Sequence, residues 1–517
     1  MNAFPLITIL TAVPLIGALG VLGLGAKSKD LARGVALTFS VIALAITLVL
    51  WHRFNPASGA LQFEELHAWI PAIGVQYHVG IDGLGLLMLL LSAIVVPMSM
   101  AASWQIQEGT SLYFSLILFL QAGLFGTFSA LNFFHWFIFW ELSLIPAFFL
   151  IRLWGGPQRA ATATQFFVYT MVGSVALLLA FLAIFQCTGR FDFIGLSELA
   201  RNGQLIPALA GNIGWHKLAP QQIALIIFCG AFLGFAVKVP LVPFHTWLPE
   251  AYAEAPTGTT MLMTGAMSKM GVYGFLRILL PIFYVEMRSM RTPLLWLAVV
   301  TIILSAYAAL AQTDLKRMLA YSSINHLGYC MLGIFSVAGF TGDEPAFATA
   351  KVAALNGVIL QMFNHGLTAA TLFWFVALLE KRSSGLRGLN DFGGLRKVAP
   401  VFCGLMGIAL FSSLGLPGLN GFVGEFLIFR GAFPLATWAT ALAVIGLLVT
   451  AIFILTILQR VFSGPLNERW SKLQDLTIGE RLALLPPIAI MFVLGIYPQL
   501  VLGVINSTAI NITQQLR

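Results

Sequence analysis

Three charged side chains lie inside long apolar stretches of the sequence, where charges are rare. Lys238 lies in IALIIFCGAFLGFAVKVPLVPF, Lys269 in TGTTMLMTGAMSKMGVYGFL, and Glu141 in LNFFHWFIFWELSLIPAFFL. A charge at the centre of a bilayer costs about 2.5–3.5 kcal/mol on insertion scales, and such residues commonly mark ion or proton pathways. A lysine amine can bind and release a proton, and a nearby carboxylate changes how readily it does so. We therefore predict a proton or ion path, with Glu141 as the partner of Lys238.

Four further side chains could extend this path. His326 lies in MLAYSSINHLGYCMLG, His365 in LNGVILQMFNHGLTAATLFW, and Glu425 directly after the sequence LPGLNG, whereas His245 opens the polar turn VPFHTWLPEAYAEAP. Histidine titrates near neutral pH and can relay protons between water molecules. Structural interpretations exist for all of these residues: a static ion pair, a lysine reaching the membrane surface, hydrogen-bonded core histidines, a surface carboxylate or a solvated loop.

The composition indicates an integral membrane protein. The chain has 517 residues, of which 59% are hydrophobic and 9% are charged, whereas soluble proteins carry about 25% charged residues. No polar segment is long enough for a soluble domain, so we expect no nucleotide or flavin site and no nucleic-acid partner. Basic loops that orient the protein in the membrane explain its net charge of +8.

The cysteines give no sign of a metal centre. Cys187, Cys229, Cys330 and Cys403 are far apart and lie in or beside apolar runs. None forms a CxxC pair, which iron–sulfur and zinc sites commonly use. We interpret them as small core residues and predict no metal or cofactor in this chain.

Apolar runs of about 20 residues, the length of a helical membrane span, recur along the chain. They predict an all-α integral membrane protein with about fourteen transmembrane helices. The predicted spans lie near residues 3–24, 31–51, 81–102, 112–130, 132–151, 162–187, 221–243, 257–284, 293–312, 318–339, 352–379, 398–429, 434–461 and 482–503.

Two of these spans contain helix-breaking residues. Pro240 and Pro243 interrupt the run 221–243, and Pro417 with nearby glycines interrupts the run 398–429. The two broken helices are five spans apart, as in inverted repeats, where binding sites lie at broken helices near the membrane midplane. We therefore expect two inverted five-helix repeats. The predicted segments are N-terminal helices (1–111), a first repeat (112–284), a second repeat (285–462) and a C-terminal helix (463–517).

Three segments resemble a known family over nearly the whole chain: KVPLVPFHTWLPEAYAEAPTGTTMLMTGAMSKMGVYG, DLKRMLAYSSINHLGY and NHGLTAATLFW. They are similar to the antiporter-like subunits of respiratory complex I, a family that includes subunits of Mrp cation/proton antiporters and membrane-bound hydrogenases. M-type members have a glutamate at the position of Glu425, where L-type, N-type and Mrp relatives usually have lysine. D-type photosynthetic relatives also have this glutamate.

The resemblance implies fourteen core helices and a role for each site residue. Glu141 and Lys238 would be the controlling ion pair and Lys269 the central lysine. By the same resemblance, His326 and His365 would belong to a hydrated central axis that ends at Glu425.

The implied function is proton translocation by a membrane subunit of an enzyme, NADH–quinone oxidoreductase, in the bacterial inner membrane. This chain would hold no redox centre. FMN, iron–sulfur clusters and quinone would be bound by partner subunits, and L-type and N-type neighbours and the peripheral redox arm would be its partners. The alternatives are an Mrp-type antiporter, a hydrogenase-type or photosynthetic relative, and a scaffold whose buried charges lock helices together.

Overall fold

The computed structural model describes residues 4–25, 28–215, 217–340 and 345–516. Residues 1–3, where the first predicted segment and span begin, and residue 517, where the last segment ends, lie outside the described residues.

The described residues of the first half of the chain form helices and one pair of strands, joined by turns and loops. Its elements are α1 (Leu6–Gly23), α2 (Lys29–Arg53), β1 (Gln62–Ile70), β2 (Val75–Ile81), α3 (Gly83–Ala102), α4 (Thr110–Ser129), α5 (Phe133–Trp154), α6 (Arg159–Thr188), α7 (Phe193–Arg201), α8 (Leu205–Asn212), α9 (Pro220–Lys238) and α10 (Trp247–Glu254).

The described residues of the second half of the chain are also mainly helical. They are α11 (Thr257–Leu262), α12 (Ser268–Gly274), α13 (Leu280–Ile282), α14 (Tyr284–Ser289), α15 (Arg291–Leu310), α16 (Leu315–Ala338), α17 (Ala348–Arg382), α18 (Pro400–Leu414), α19 (Asn420–Leu435), α20 (Thr437–Ile457), α21 (Ile478–Ile496) and α22 (Gln499–Gln514). Turns of π-helix cover Met263–Met267, Phe275–Leu279 and Leu458–Phe462, and 3₁₀ turns cover Pro71–Ile73, Pro345–Phe347, Leu389–Asp391, Leu395–Lys397 and Glu468–Trp470.

Eleven helices in the described ranges are long and apolar enough to cross a membrane. Three predicted spans are not among these eleven helices. The span 257–284 is divided by π-helical turns, 318–339 is the more polar α16, and 398–429 is broken into α18 and α19. The count of about fourteen therefore stays a prediction. Large exposed side chains on α1, α6 and α20 are apolar, as expected where helices face lipid tails. By contrast, 94% of the most apolar window of α17 is buried, so α17 lies at the centre of the bundle.

Both predicted helix breaks are present. The helix α9 ends at Lys238, and Gly415–Leu419 separate α18 from α19. Gly415 and Gly418 have φ angles of +82° and +93°, a conformation that glycine adopts readily because it has no Cβ. The sequence around Pro417 therefore ends one helix and begins the next within five positions.

The predicted last span, 482–503, is wrong in its bounds. The helix α21 ends at Ile496, and α22 begins after Pro498 and continues to Gln514. Proline has no backbone N–H and clashes with the preceding turn, so it ends a helix or starts a new one. The apolar residues on both sides of this break read as one run in the sequence.

A β-hairpin fills part of the segment 52–80, between the second and third predicted spans. Strands β1 and β2 pair antiparallel, with Leu66 opposite His78 and Gln62 opposite Ile81. A carboxylate oxygen of Glu65 in β1 accepts a hydrogen bond of 2.8 Å from the backbone N–H of Ile7 in α1. The hairpin is thereby joined to the first helix, which satisfies one of the free N–H groups at that helix start.

Candidate functional site

Lys269 lies near the centre of the bundle, on α12 between two π-helical turns, and its amine faces a histidine. The amine nitrogen lies 2.8 Å from Nδ1 of His365 on α17. It also donates a hydrogen bond of 2.5 Å to the carbonyl oxygen of Thr264 and lies 3.3 Å from the hydroxyl of Ser268. The side chain is buried, so the amine contacts groups inside the bundle and does not extend to the molecular surface.

Glu425 and His326 form a buried, hydrogen-bonded pair beside the second helix break. Nδ1 of His326 lies 2.7 Å from Oε1 of Glu425, and Nε2 of the same ring lies 3.1 Å from the hydroxyl of Ser413 on α18. The amide of Gln361 on α17 donates a hydrogen bond of 2.9 Å to Glu425. The two paired side chains are 3% and 6% exposed, so Glu425 is no surface carboxylate.

The two histidines connect these groups. The ring centroids of His326 and His365 are 5.2 Å apart. Lys269, His365, His326 and Glu425 therefore form a continuous series of titratable side chains, which we call the central file. A cavity of about 10 Å³ borders the last three of these residues, a size at the lower limit for one water molecule.

Glycines allow the helices of the central file to approach closely. A Cβ atom on Gly366, next to His365, would lie 2.5 Å from the carbonyl oxygen of Gly265. A Cβ on Gly424, next to Glu425, would lie 2.5 Å from the side-chain oxygen of Gln361. Small residues at helix contacts in membranes let the backbones approach closely. Here the close approach brings the neighbouring residues His365 and Glu425 within hydrogen-bonding distance of their partners on the other helices.

Lys238 is buried at the last position of α9 but does not contact a carboxylate. Its amine lies over the ring of Trp140, 4.9 Å from the centroid. Within the described ranges, Lys238 and Glu141 form no direct ion pair, although their charges interact electrostatically. Glu141 is half-buried, and its Oε1 has no hydrogen-bond partner. The structure thus brings the two residues into one region without joining them.

A small cavity lies between Lys238 and the central file. It measures about 10 Å³ and is lined by Lys238, Tyr252 and Ser268, together with apolar side chains. Ser268 is the hydroxyl that lies 3.3 Å from the amine of Lys269. The two lysines are therefore separated by one serine and this cavity.

His245 lies apart from the other predicted residues. It is half-buried in the turn after α9, its ring is 6.4 Å from that of Tyr321, and its Nδ1 has no hydrogen-bond partner. In the same segment, Glu250 forms an ion pair of 2.7 Å with Arg317. The part predicted for His245 in the proton path stays a prediction.

The sequence reasoning missed several uncharged polar residues around the second break. Asn364 donates a hydrogen bond of 2.7 Å to the carbonyl of Asn420. The hydroxyls of Thr368 and Ser412 are 3.1 Å apart, and Ser412 donates a hydrogen bond of 2.5 Å to Asn420. Their signal in the sequence is the spacing of Gln361, Asn364 and Thr368 in an otherwise apolar helix, which places all three on one face.

A largely buried ion pair was also missed. Arg277 lies 2.5 Å from Asp82, the residue that precedes α3, and Asp82 also accepts a hydrogen bond from the N–H of Gly85. The guanidinium of Arg277 lies 5.7 Å from the ring centroid of Tyr273. Both charges lie near the ends of apolar runs, where the sequence gives little reason to expect burial.

The described residues offer no ligand set for a metal. They contain no group of three or more histidine, cysteine, aspartate or glutamate side chains arranged around a common point, and the cysteines are not disulfide-bonded. The predicted absence of a metal or cofactor remains a prediction.

Comparisons with known proteins show the family to which this chain belongs. The family model described as "NADH:quinone oxidoreductase/Mrp antiporter, TM" matches residues 130–452. The NADH-quinone oxidoreductase subunit M of Rhodobacter capsulatus is 35% identical, with 98% of this chain and 96% of that protein covered.

Two solved structures have the same fold. A chain of respiratory complex I from Thermus thermophilus with bound NADH superimposes with a TM-score of 0.83 at 27% identity, covering 99% of this chain and all of that one. A chain of the Mrp complex from Dietzia sp. DQ12-45-1b gives a TM-score of 0.83 at 19% identity, with both chains fully covered. At that identity the second match shows the fold alone.

Proposed function

Because the chain belongs to the family of NADH:quinone oxidoreductase and Mrp antiporter transmembrane subunits, we infer that it is a proton-translocating membrane subunit of NADH-quinone oxidoreductase. It is a multi-pass protein of the bacterial inner membrane, and its partners are other membrane subunits and a peripheral arm. We propose that FMN, the iron–sulfur clusters and quinone are bound by those partners. Electron transfer then occurs outside this chain, which moves protons.

The central file is the observation that carries this proposal. Lys269, His365, His326 and Glu425 contact one another in sequence and are all buried. A bundle with only aliphatic side chains at these positions would cost less free energy to insert into a membrane. Buried charges also seldom stabilise a fold better than apolar side chains do. A series of amine, imidazole, imidazole and carboxylate can pass a proton from group to group, because each member can bind and release one.

Lys238 and Glu141 are proposed to control the entry of protons into the central file. The amine of Lys238 keeps its proton more firmly when a carboxylate approaches and releases it more readily when the carboxylate withdraws. The present arrangement, with Lys238 over Trp140 and Glu141 not in contact, corresponds to the releasing state. The cavity beside Tyr252 and Ser268 offers the route from Lys238 to Lys269.

We further propose the division into residues 1–111, 112–284, 285–462 and 463–517, with the two middle segments as inverted repeats. Each repeat would contain one broken helix, α9 with α10 and α18 with α19. Each would also contain one unusually long helix, α6 with 30 residues and α17 with 35. In the second repeat the pair His326–Glu425 joins α16 to α19. The corresponding residues in the first repeat are Glu141 on α5 and Lys238 on α9.

The test of this proposal is substitution of Lys269 by methionine, which keeps the length of the side chain and removes the amine. The intact complex, reconstituted into lipid vesicles and supplied with NADH and quinone, should lose proton pumping by at least about tenfold, since a positioned proton-transfer group typically contributes about 10²–10⁴-fold to a rate. Lys472→Met, at an exposed lysine, is the matched control. Normal pumping by the Lys269 variant would refute the proposal, and loss of assembly in place of pumping would support a scaffold role.

A further inference from the structure

A groove of about 680 Å³ opens on the surface of the protein where α17, α19 and α22 meet. The beginning of α17, the second half of α19 and the first part of α22 form its walls. The lining combines apolar and polar side chains, among them Val352, Leu427, Leu502, Asn356, Arg430 and Asn506. The groove is separate from the central file, none of whose four residues lines it.

The groove lies at the outer surface of the membrane. Lysines and arginines concentrate in the segment 381–397, where α17 ends, and such a bias marks the cytoplasmic side. The beginning of α17 therefore lies at the outer side. His365 is the middle residue of α17, and Asn356 precedes it by nine positions, about 14 Å along the helix axis. Half of the hydrocarbon core measures about 15 Å, so a helix centred in the membrane places Asn356 next to the lipid headgroups.

Arg430 gives the groove a positive charge. It is exposed, it is the one charged side chain among the described residues that line the groove, and it forms no ion pair within the described ranges. Phe426 and Phe433 lie four positions before it and three positions after it, on the same face of α19, and are 51% and 52% exposed. This face therefore presents a cation between side chains that suit lipid tails.

Asn356 supplies a buried acceptor that lacks a donor. Its side chain is 8% exposed, and its Nδ2 donates a hydrogen bond of 2.7 Å to Oδ1 of Asn506 on α22. Its own Oδ1 has no hydrogen-bond partner among the described residues. A buried carbonyl oxygen without a hydrogen bond is costly and calls for an explanation. Because Asn356 lines the groove, a donor group of a molecule bound there can reach this oxygen.

The groove thus offers three features to a ligand: a cation, an acceptor and an apolar surface. A free phosphate ion matches the cation but makes no use of the apolar walls, and a fatty acid carboxylate brings no donor. A phospholipid with a hydroxylated headgroup has a phosphate, a donor and acyl chains. Arginines near the ends of membrane helices commonly reach toward headgroups of any kind, but that habit does not account for the open oxygen of Asn356.

We propose that the groove binds an anionic phospholipid of the outer leaflet, a phosphatidylglycerol. Its phosphate lies at Arg430, a hydroxyl of its glycerol headgroup donates to Oδ1 of Asn356, and its acyl chains pack on Val352 and Leu427. The net negative charge of phosphatidylglycerol matches the single positive charge of the groove, whereas the ammonium of phosphatidylethanolamine cancels the charge of its own phosphate. The bound lipid joins α17 and α22 to α19. This binding requires no proton transfer and is independent of the proposed function.

The test is photochemical labelling of the intact complex in phosphatidylcholine vesicles that contain a trace of phosphatidylglycerol with a photoreactive group on one acyl chain. Mass spectrometry should find the label on peptides from the groove walls of α17, α19 and α22. Arg430→Gln should lower this labelling by about fivefold, the effect of one basic residue on binding to anionic lipid, whereas Arg430→Lys should keep it within about twofold of wild type. Arg288→Gln is the matched control, since it changes an exposed arginine outside the groove.

A second variant and a competition experiment complete the test. Asn356→Leu keeps Arg430 and removes the acceptor, so it should also lower the labelling, with assembly of each variant read from native gels. Unlabelled phosphatidylglycerol should displace the probe from the wild-type complex, whereas equal amounts of phosphatidylethanolamine should not. Equal labelling of wild type and Arg430→Gln would overturn the proposal, as would equal competition by phosphatidylethanolamine. Displacement by inorganic phosphate would identify a site for free anions instead, and absence of label from the groove would show that a neighbouring subunit covers it.

Discussion

Lys238 shows how a single amine can be buried in an apolar bundle without a direct counter-ion. The face of Trp140 attracts the protonated form of this amine, since an aromatic ring carries negative charge on its face, and such contacts contribute about 2 kcal/mol or more when they are shielded from water. Trp140 is itself fixed by a hydrogen bond of 3.0 Å from its ring N–H to Ser174. A small movement of Glu141 on the same helix would change the field at Lys238 without breaking a bond.

Removal of either member of this pair is expected to impair pumping. Lys238→Ala removes the proton carrier, and Glu141→Ala removes the charge that controls it. Each should lower NADH-driven proton uptake and coupled quinone reduction by about tenfold or more, while the complex still assembles. Lys472→Ala is the control, and subunit content is read from native gels. Coupled turnover at the wild-type rate in both variants would contradict this role.

Asp82 and Arg277 are expected to act on stability instead. Asp82→Asn keeps the side-chain oxygen that caps α3 but leaves the charge of Arg277 without its partner. Removing one member of a buried ion pair costs about 3–5 kcal/mol. We expect less assembled complex and a lower melting temperature, with normal pumping per assembled complex. Asp30→Asn, whose aspartate is 92% exposed beside Arg33, should leave the melting temperature unchanged because exposed pairs contribute about 0–1 kcal/mol.

At the scale of helices, the central file depends on how closely α17 approaches the segment Thr257–Gly274. The approach occurs at Gly265 and Gly366, where a Cβ on either residue would meet the opposite backbone at 3.3 and 2.5 Å. Lys269 follows Gly265 by four positions, and His365 directly precedes Gly366. The distance between the two helices therefore sets the distance between amine and imidazole.

Gly366→Ala is expected to separate these helices. The added methyl group meets backbone, which cannot rotate away, so overpacking should destabilise the subunit by about 1–3 kcal/mol and weaken pumping by lengthening the contact of Lys269 with His365. Gly404→Ala is the matched control, because a Cβ at Gly404 on α18 meets no atom within 4 Å. Thermal unfolding of the purified complex and the rate of proton uptake check both effects. Equal behaviour of the two variants would contradict this account of the glycines.

The helix breaks could be predicted from the sequence, whereas other elements could not. Pro240, Pro243 and Pro417 mark the breaks because proline has a local effect on the backbone. The hairpin β1–β2 was not predicted although β2 has alternating Val, Tyr and Ile residues, because residues 52–80 were considered only in terms of membrane spans. The π-helical turns around Lys269 have no local sequence signal and depend on packing against neighbouring helices.

At the scale of the whole molecule, the two proposed repeats carry their charges in opposite order. In the first repeat the acid, Glu141, is on α5 and the base, Lys238, is on the broken helix. In the second repeat the base, His326, is on α16 and the acid, Glu425, is on the broken helix. On the proposed route, a proton that leaves Lys238 passes Lys269, His365 and His326 before it reaches Glu425 on the broken helix of the second repeat.

The burial of the candidate site residues could be predicted from the sequence better than their contacts. Charges in apolar runs indicated Lys238, Lys269 and Glu141, because burying a charge is costly wherever it lies, and the helix break at LPGLNG indicated Glu425. The contact of Lys269 with His365 depends on residues 96 positions apart, and no local pattern fixes such a pairing. The same limit applies to Lys238, whose sequence suggested a carboxylate partner and whose amine lies over a tryptophan.

Substitution of Glu425 by glutamine tests proton transfer through the central file most sharply. Glutamine keeps the size of the side chain and an oxygen that can accept the hydrogen bond from Gln361, but it cannot accept a proton. In vesicles containing the intact complex, we expect NADH-driven proton uptake to fall by about tenfold or more, with the exposed Glu468→Gln variant unaffected. Wild-type proton uptake by an assembled Glu425→Gln complex would contradict proton transfer along Lys269, His365, His326 and Glu425.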